Sequence, residues 1–148
     1  MQQTLILIKP DGVQRRLVGE IIRRFESKGL RLAGLKLLQA SQSLAEKHYA
    51  VHKGKPFYDS LLKFITSGPT VAMVWEGREA VAVARTLMGT TDGAKAPPAT
   101  IRGDFALSVQ NNLVHGSDSL ENAKLEIDLW FKPEELVQYT PTDGLWIG

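Results

Sequence analysis

A chain of 148 residues, 43% apolar and 23% charged, is long enough to bury a full core as one domain, 1–148, without covalent staples. Its 18 basic and 16 acidic residues leave a formal net charge of +2, with both signs mixed along the chain. That balance excludes a charged tail and gives only a faint preference for anionic partners. With no cysteine, a disulfide, a zinc–thiolate site and a thiol nucleophile are all excluded. No apolar run approaches the roughly 18 residues of a membrane span, so no membrane partner is expected. The opening "MQQTLILIKPDG" lacks the basic region and long apolar stretch of a secretion signal, and a cytoplasmic location is expected.

In chain order, the apolar run 4–8 predicts a buried strand, closed by the turn residues Lys9, Pro10, Asp11 and Gly12. Leu17, Val18, Ile21, Ile22 and Phe25 recur at helical spacing, with Lys28 and Gly29 as a stop. A second strand is predicted over 30–40, then a helix over 43–52 with Ser43 and Glu46 as a capping box. Pro56 begins a short helix over 56–68, and 70–75 reads as a third buried strand. A helix over about 78–88 precedes a Gly-, Pro- and Thr-rich loop over 89–104, long enough to suggest function or mobility. "FALSV", 105–109, is predicted as the fourth strand. Asp118 with Glu121 can cap a last helix carrying Leu120, Ala123, Ile127 and Phe131. Stripped of additions, this order is βαββαβ. It predicts an α+β, ferredoxin-like fold: a four-stranded antiparallel sheet with helices packed around it. Many unrelated functions share that topology, so fold alone selects none.

Several side chains could carry chemistry. Lys9, at a strand end beside a turn, could hold a phosphate or simply be solvated. Arg85, Thr91 and Arg102 bracket the long loop with donors suited to phosphate oxygens, though Arg85 near a helix end also fits a dipole partner. His48 and His52 are four apart on a predicted helix; with no cysteine and no obvious third ligand, no metal site is expected there. Phe57, Tyr58, Leu61 and Phe64 make an apolar stripe that suits a core, or a surface on which a base stacks. Imidazole titrates near neutrality and can act as a neutral nucleophile. Spacing alone leaves His115, in "NNLVHGSDS", divided between that role and a loop histidine; Glu126, further on, could return to orient it.

Taken together, "IKPDGVQRRLVGEIIRRFESKG", "SGPTVAMVWEG", "TIRGDF" and "NNLVHGSDS" resemble the nucleoside diphosphate kinase family over nearly the whole chain. The resemblance implies ping-pong transfer of a γ-phosphate from a nucleoside triphosphate such as ATP, through a phosphohistidine, to a nucleoside diphosphate. This maintains NTP and dNTP pools. It places His115 at the signature histidine, with Ser117 and Glu126 as its supports. Lys9, Arg102 and Tyr49 fall at positions around the transferred phosphate, Arg85 and Thr91 at the β-phosphate, and His52 near the α-phosphate. Asn112 matches the sugar-binding asparagine, Phe57 and Val109 the pair that sandwiches the base, and Leu61 lines that slot. The implied cofactor is Mg²⁺, carried by the nucleotide phosphates with few or no protein ligands. The implied partner besides nucleotides is the chain itself, as a hexamer or tetramer. A non-catalytic nucleic-acid module on the same frame is the alternative, but the low charge and the lack of aromatic-rich strands argue against specific nucleic-acid binding. Two departures from the family pattern fall in the long loop. Asp92-Gly93 stands where many members have Asn-Pro, which predicts a looser loop, and Ala99 stands where many have glycine.

Overall fold

The first strand, β1 (Gln2–Ile8), is fully buried over its last five residues because helices cover both faces of its sheet. That double cover is why its sequence is continuously apolar rather than alternating. The computed structural model describes residues 1–148 and places β1 between β3 (Thr70–Gly77) and the short β4 (Val114–Gly116). The outer edge beyond β3 is β2 (Arg31–Leu38), giving the order β2-β3-β1-β4 with every pairing antiparallel. This is the expected ferredoxin-like arrangement.

Side chains of β1 divide by parity between two cores. Ile6 and Ile8 join Ile21 and Phe25 of α2 (Val18–Ser27), and Ala84 and Met88 of α5 (Ala80–Met88), on one face. Leu5 and Leu7 join Ile127 and Trp130 of α7 (Leu120–Trp130) on the other. Beside α7, α3 (Gln42–His48) and α4 (Tyr58–Ile65) close a small cluster of Ala45, Leu62 and Ile65. The remaining helices are short: α1 (Pro10–Gln14), α6 (Ile101–Phe105) and α8 (Gly144–Ile147).

The structure corrects several local expectations. "FALSV" is not a strand: Phe105 ends α6, and Leu107 and Val109 are 88% and 57% exposed on a loop. The true fourth strand is the three-residue β4, too short to show a period. The predicted loop 89–104 contains a 3₁₀ turn, Gly93–Lys95, and the start of α6, capped by the Thr100 hydroxyl accepting from the Gly103 N–H at 2.9 Å. The third helix is capped by Ser41 rather than Ser43, through the Leu44 N–H at 3.0 Å, and it ends at His48. Ser119, not Asp118, caps α7 by accepting from the Asn122 N–H at 3.0 Å.

Gly93 does not leave a slack point in the folded loop. Its N–H donates to Ser108 O at 3.2 Å, a bond that proline could not make, and a Cβ there would stand 2.6 Å from the Ala106 carbonyl carbon. Loosening by the Pro-to-Gly difference is thus confined to the unfolded chain. Ala99, in contrast, holds a left-handed backbone at φ 75°, pinned by Arg24 Nη1 on its carbonyl at 2.9 Å and by its own N–H on Asp104 Oδ1 at 3.0 Å. A β-carbon in that region costs about 1–2 kcal/mol, part of which glycine returns through its own larger chain entropy. Ala99→Gly is expected to stabilise the protein by ~1 kcal/mol and raise the thermal midpoint by roughly 2–4 °C, read by differential scanning calorimetry. A lowered midpoint would contradict the strain.

Candidate active site

The register of β4 aims His115. It pairs with Leu7, and partners across a ladder share a face, so the imidazole emerges on the α7 side of the sheet. Along α7, Ala123, Ile127 and Trp130 form the buried stripe, and Glu126 stands on its flank at helical spacing. The Glu126 carboxylate thus meets the imidazole: Oε2 accepts from His115 Nε2 at 2.9 Å, while Oε1 accepts from the Ser117 hydroxyl at 2.6 Å. Ser117 is itself fixed at the edge of β1, its Oγ accepting from the Leu5 N–H at 3.2 Å. With Nε2 carrying the proton toward Glu126, the in-plane lone pair of His115 lies on Nδ1. Burial raises the affinity of Glu126 for a proton, but hydrogen bonds from His115 and Ser117, with the nearby His48, outweigh it and hold the carboxyl below its ordinary range.

The glycine after the histidine leaves room for a core side chain. A Cβ on Gly116 would sit 2.7 Å from Met88 Sδ, so any side chain there would displace the buried thioether that packs α5 against β4. That packing carries Arg85 to the site, where its Nη1 donates to Gly116 O at 3.2 Å.

The segment before His115 is gripped from several sides. Leu113 is fully buried with φ 74°, an unusual conformation for a branched residue. The turn after β1 holds it: the Lys9 N–H donates to Leu113 O at 2.8 Å, and Asp11 Oδ2 accepts from the Leu113 N–H at 3.0 Å. Arg102, 6% exposed, donates to three backbone carbonyls: Asn112 O at 3.2 Å, Val114 O at 2.7 Å and Gly89 O at 3.0 Å. Burial, with Arg85 beside it, lowers its guanidinium to about 10. Asn112 accepts from the Lys9 ammonium on Oδ1 and donates from Nδ2 to Thr91 O at 3.0 Å, tying the long loop to β1.

These groups line one cleft of about 720 Å³, at whose wall lie twelve of the thirteen residues that the family resemblance places in the site; the thirteenth, Ser117, stands behind Glu126. Lys9, Arg85 and Arg102 make it cationic, with Tyr49 and Thr91 as hydroxyl donors. Burial, reinforced by the Glu126 charge, pushes the Tyr49 phenol up to about 12, so it stays a proton donor at cellular pH. Phe57 and Val109, 46% and 57% exposed, face the open end together with Leu61. His52 packs on Phe57 with ring centroids 5.3 Å apart, and its Nδ1 meets Lys55 Nζ at 3.3 Å.

Three supporting residues escaped sequence reasoning. In sequence, Asp11 shows only turn chemistry. Trp130 sits on a helix face where any large apolar residue would fit. Spacing pairs His48 with His52, but His48 is buried at the end of α3 against the His115 ring, with centroids 4.6 Å apart. Ligand atoms of His48, His115 and Glu126 lie within 4.8 Å of one another, close enough for a cation. However, His48 Nδ1 already accepts from Trp130 Nε1–H at 3.1 Å, and both Glu126 oxygens are engaged as well.

A family model described as nucleoside diphosphate kinase matches residues 2–136. The chain belongs to the nucleoside diphosphate kinase family. A protein of that name from Carboxydothermus hydrogenoformans is 60% identical over 147 residues, covering 99% of each chain. One from Trichodesmium erythraeum is 58% identical with the same coverage. Among solved structures, a nucleoside diphosphate kinase family protein from Babesia bovis superposes with a TM-score of 0.98 at 46% identity over the whole of both chains. A nucleoside diphosphate kinase from Halobacterium salinarum, solved in complex with CDP, gives 0.97 at 46% identity, covering 99% of this chain and 98% of its own. As a member of the nucleoside diphosphate kinase family, this chain is a nucleotide-binding phosphotransferase of the reaction ATP + NDP = ADP + NTP.

Burial lowers Lys9 from its ordinary 10.5 to about 8, against the pull of Asp11 and with Arg102 adding to the shift. The folded protein therefore gives up this proton before the unfolded chain does. Between pH 8 and 10.5 the unfolded state binds more protons, so the Lys9 contribution to stability rises with pH there and is flat below it. A ¹³C titration of the Lys9 Cε resonance should show a midpoint near 8 in the free protein. A midpoint at the ordinary value would refute the buried ammonium.

Proposed function

We propose that His115 Nδ1 is the phosphate acceptor of a ping-pong nucleoside diphosphate kinase reaction. The observation that carries this reading is the His115–Glu126–Ser117 relay, which commits Nε2 and leaves Nδ1 as the free lone pair in a cationic cleft. In the first half-reaction Nδ1 attacks the γ-phosphorus in line, and the bond from that phosphorus to the β,γ-bridging oxygen breaks. The nucleoside diphosphate leaves with the electron pair. The ring keeps its Nε2 proton and becomes cationic, a charge that the Glu126 carboxylate meets directly. In the second half-reaction a β-phosphate oxygen of another nucleoside diphosphate takes the phosphoryl group, restoring neutral His115. The histidine adduct thereby splits one two-substrate transfer into two reversible steps.

Positioning and charge stabilisation dominate such transfers. In this reading Lys9, Arg102 and the Tyr49 hydroxyl face the transferred group, Arg85 and Thr91 hold the β-phosphate, and His52 stands near the α-phosphate. Asn112 and Lys9 bind the ribose. Phe57, Val109 and Leu61 hold the base in a slot open to solvent, and stacking there is tolerant of base identity. The carboxylates on the cleft wall are Asp118, which accepts from Asn122 Nδ2 at 2.6 Å, and the committed Glu126. That donor set fits Mg²⁺ arriving on the nucleotide phosphates, where it would supply positive charge against the charge that develops in the transfer.

The reading extends to one catalytic domain over 1–148 that works in the cytoplasm as a homo-oligomer, hexamer or tetramer. No helix is long and apolar enough to cross a membrane. Beyond the tail's bond from the Val137 N–H to Ala33 O, β2 leaves an open sheet edge with Leu35 and Leu37 exposed, a surface that a second copy could cover. A mass measurement in solution separates the assemblies.

Brief exposure to ATP and Mg²⁺ should yield an acid-labile, base-stable phosphoprotein, and His115→Ala should abolish both the label and phosphate transfer to GDP, by at least about a thousandfold in rate. Transfer by His115→Ala at the wild-type rate would sink the mechanism. Ser117→Ala keeps the nucleophile but frees one Glu126 oxygen. A fall in kcat of roughly tenfold is expected, with little change in KM, measured in a coupled assay.

A further inference from the structure

One buried pair has no part in the transfer just described. His48 lies at the end of α3 with its side chain 1% exposed, and Trp130 lies at the end of α7, 2% exposed. The two rings meet edge to face with centroids 5.4 Å apart, and Trp130 Nε1–H donates to His48 Nδ1 at 3.1 Å. An indole can only donate, so His48 Nδ1 is the acceptor and its ring proton resides on Nε2. This same Nδ1 lies 4.0 Å from Glu126 Oε2.

We propose that Trp130 is a positioning residue for the nucleophile, acting through His48: by occupying His48 Nδ1 it denies Glu126 a second imidazole and reserves that carboxylate for His115. The inference rests on the kinase reading given above. Without the indole N–H, His48 Nδ1 would be free to carry a proton with Glu126 Oε2 4.0 Å away, slightly beyond hydrogen-bond range. The carboxylate would then be shared between two imidazoles, and His115 would lose part of the partner that fixes its tautomer. A cationic His48 would also stand against the His115 ring at 4.6 Å, where that ring itself becomes cationic on phosphorylation.

The surroundings favour the neutral form from every side but one. From β4 His115, from the end of β1 Lys9 and from the turn after α3 His52 disfavour a positive charge, and only Glu126 on α7 favours it. Burial is the largest influence, and together these depress His48 to about 3. The neighbouring Tyr49 ring packs edge-on at 4.7 Å and stays an uncharged phenol.

Two measurements test this. Trp130→Phe keeps a ring in the hydrophobic slot and removes only the donor. Its kcat/KM should decline from a higher pH than in the wild type, the acid limb moving up by about one unit as His48 becomes free to take a proton beside Glu126. Adding His48→Gln, which cannot be protonated, should return that limb to its wild-type position in the double variant. A merely structural tryptophan would lower activity at all pH values without moving the limb. An unshifted limb in Trp130→Phe, or a limb still shifted in the double variant, overturns the proposal. Should Trp130→Phe fail to fold, ¹⁵N-histidine NMR of the unaltered protein decides: His48 should remain the neutral Nε2–H tautomer from pH 5 to 9. A proton on Nδ1 in that range refutes the inference. The NMR readout does not depend on phosphate transfer, so its failure is distinguishable from failure of the kinase reading.

Discussion

The carboxylate of Glu126 is where the separate parts of this fold meet. One oxygen takes the imidazole on β4, the other takes the serine locked to β1, and the helix that carries it packs its neighbouring residues into the core beneath the sheet. The carboxylate cannot be placed without the helix, nor the imidazole without the strand register. A one-residue slip of β4 against β1 would turn His115 to the α2–α5 face, away from its partner. Geometry at His115 therefore depends on strand pairing and helix packing, and a loop alone could not hold it.

Around that point the fold gathers positive charge, and neither Lys9 nor Arg102 is hydrogen-bonded to a carboxylate. Arg102 is satisfied by peptide carbonyls, and Lys9 by an amide and by the ring face of Phe64, 5.4 Å from its Nζ. Neutral partners meet the hydrogen-bonding needs of both groups while leaving their charge available to an incoming anion. An aspartate in either place would satisfy the cation equally well and would cancel the field that draws in a nucleotide.

The larger elements were legible from sequence because periodicity reports burial. Strands β1 and β3 and helices α2, α5 and α7 carry long patterns, and the predicted order of elements led directly to the observed sheet. The failures lie where burial and pattern part company. "FALSV" has a strand's composition, yet Leu107 and Val109 face solvent, while the real edge strand holds only Val114, His115 and Gly116. Helix α6 has five residues and was masked by the prolines and threonines before it, although Thr100 three residues before Gly103 was a readable cap. In the site, donors such as Arg85, Arg102 and Lys9 stood out one by one. What spacing could not supply was their convergence, since His115 and Glu126 are brought together by a turn and a helix start, and His48 and Trp130 are 82 positions apart. Family resemblance supplied the convergence in advance, but nothing in it or in the periodicity pointed to the indole behind His48.

The triple grip of Arg102 on Gly89, Asn112 and Val114 has one more consequence. It splices the end of α5 to the strand that bears His115 using a cation that stays desolvated whether or not an anion is near. An occupant that brings negative charge relieves this electrostatic cost only in the folded state. The free energy of folding and the saturation of the cleft are then linked quantities, each tenfold rise in nucleotide above its dissociation constant adding about 1.4 kcal/mol. In a cell the durability of this protein becomes a readout of the metabolite pool it helps to balance.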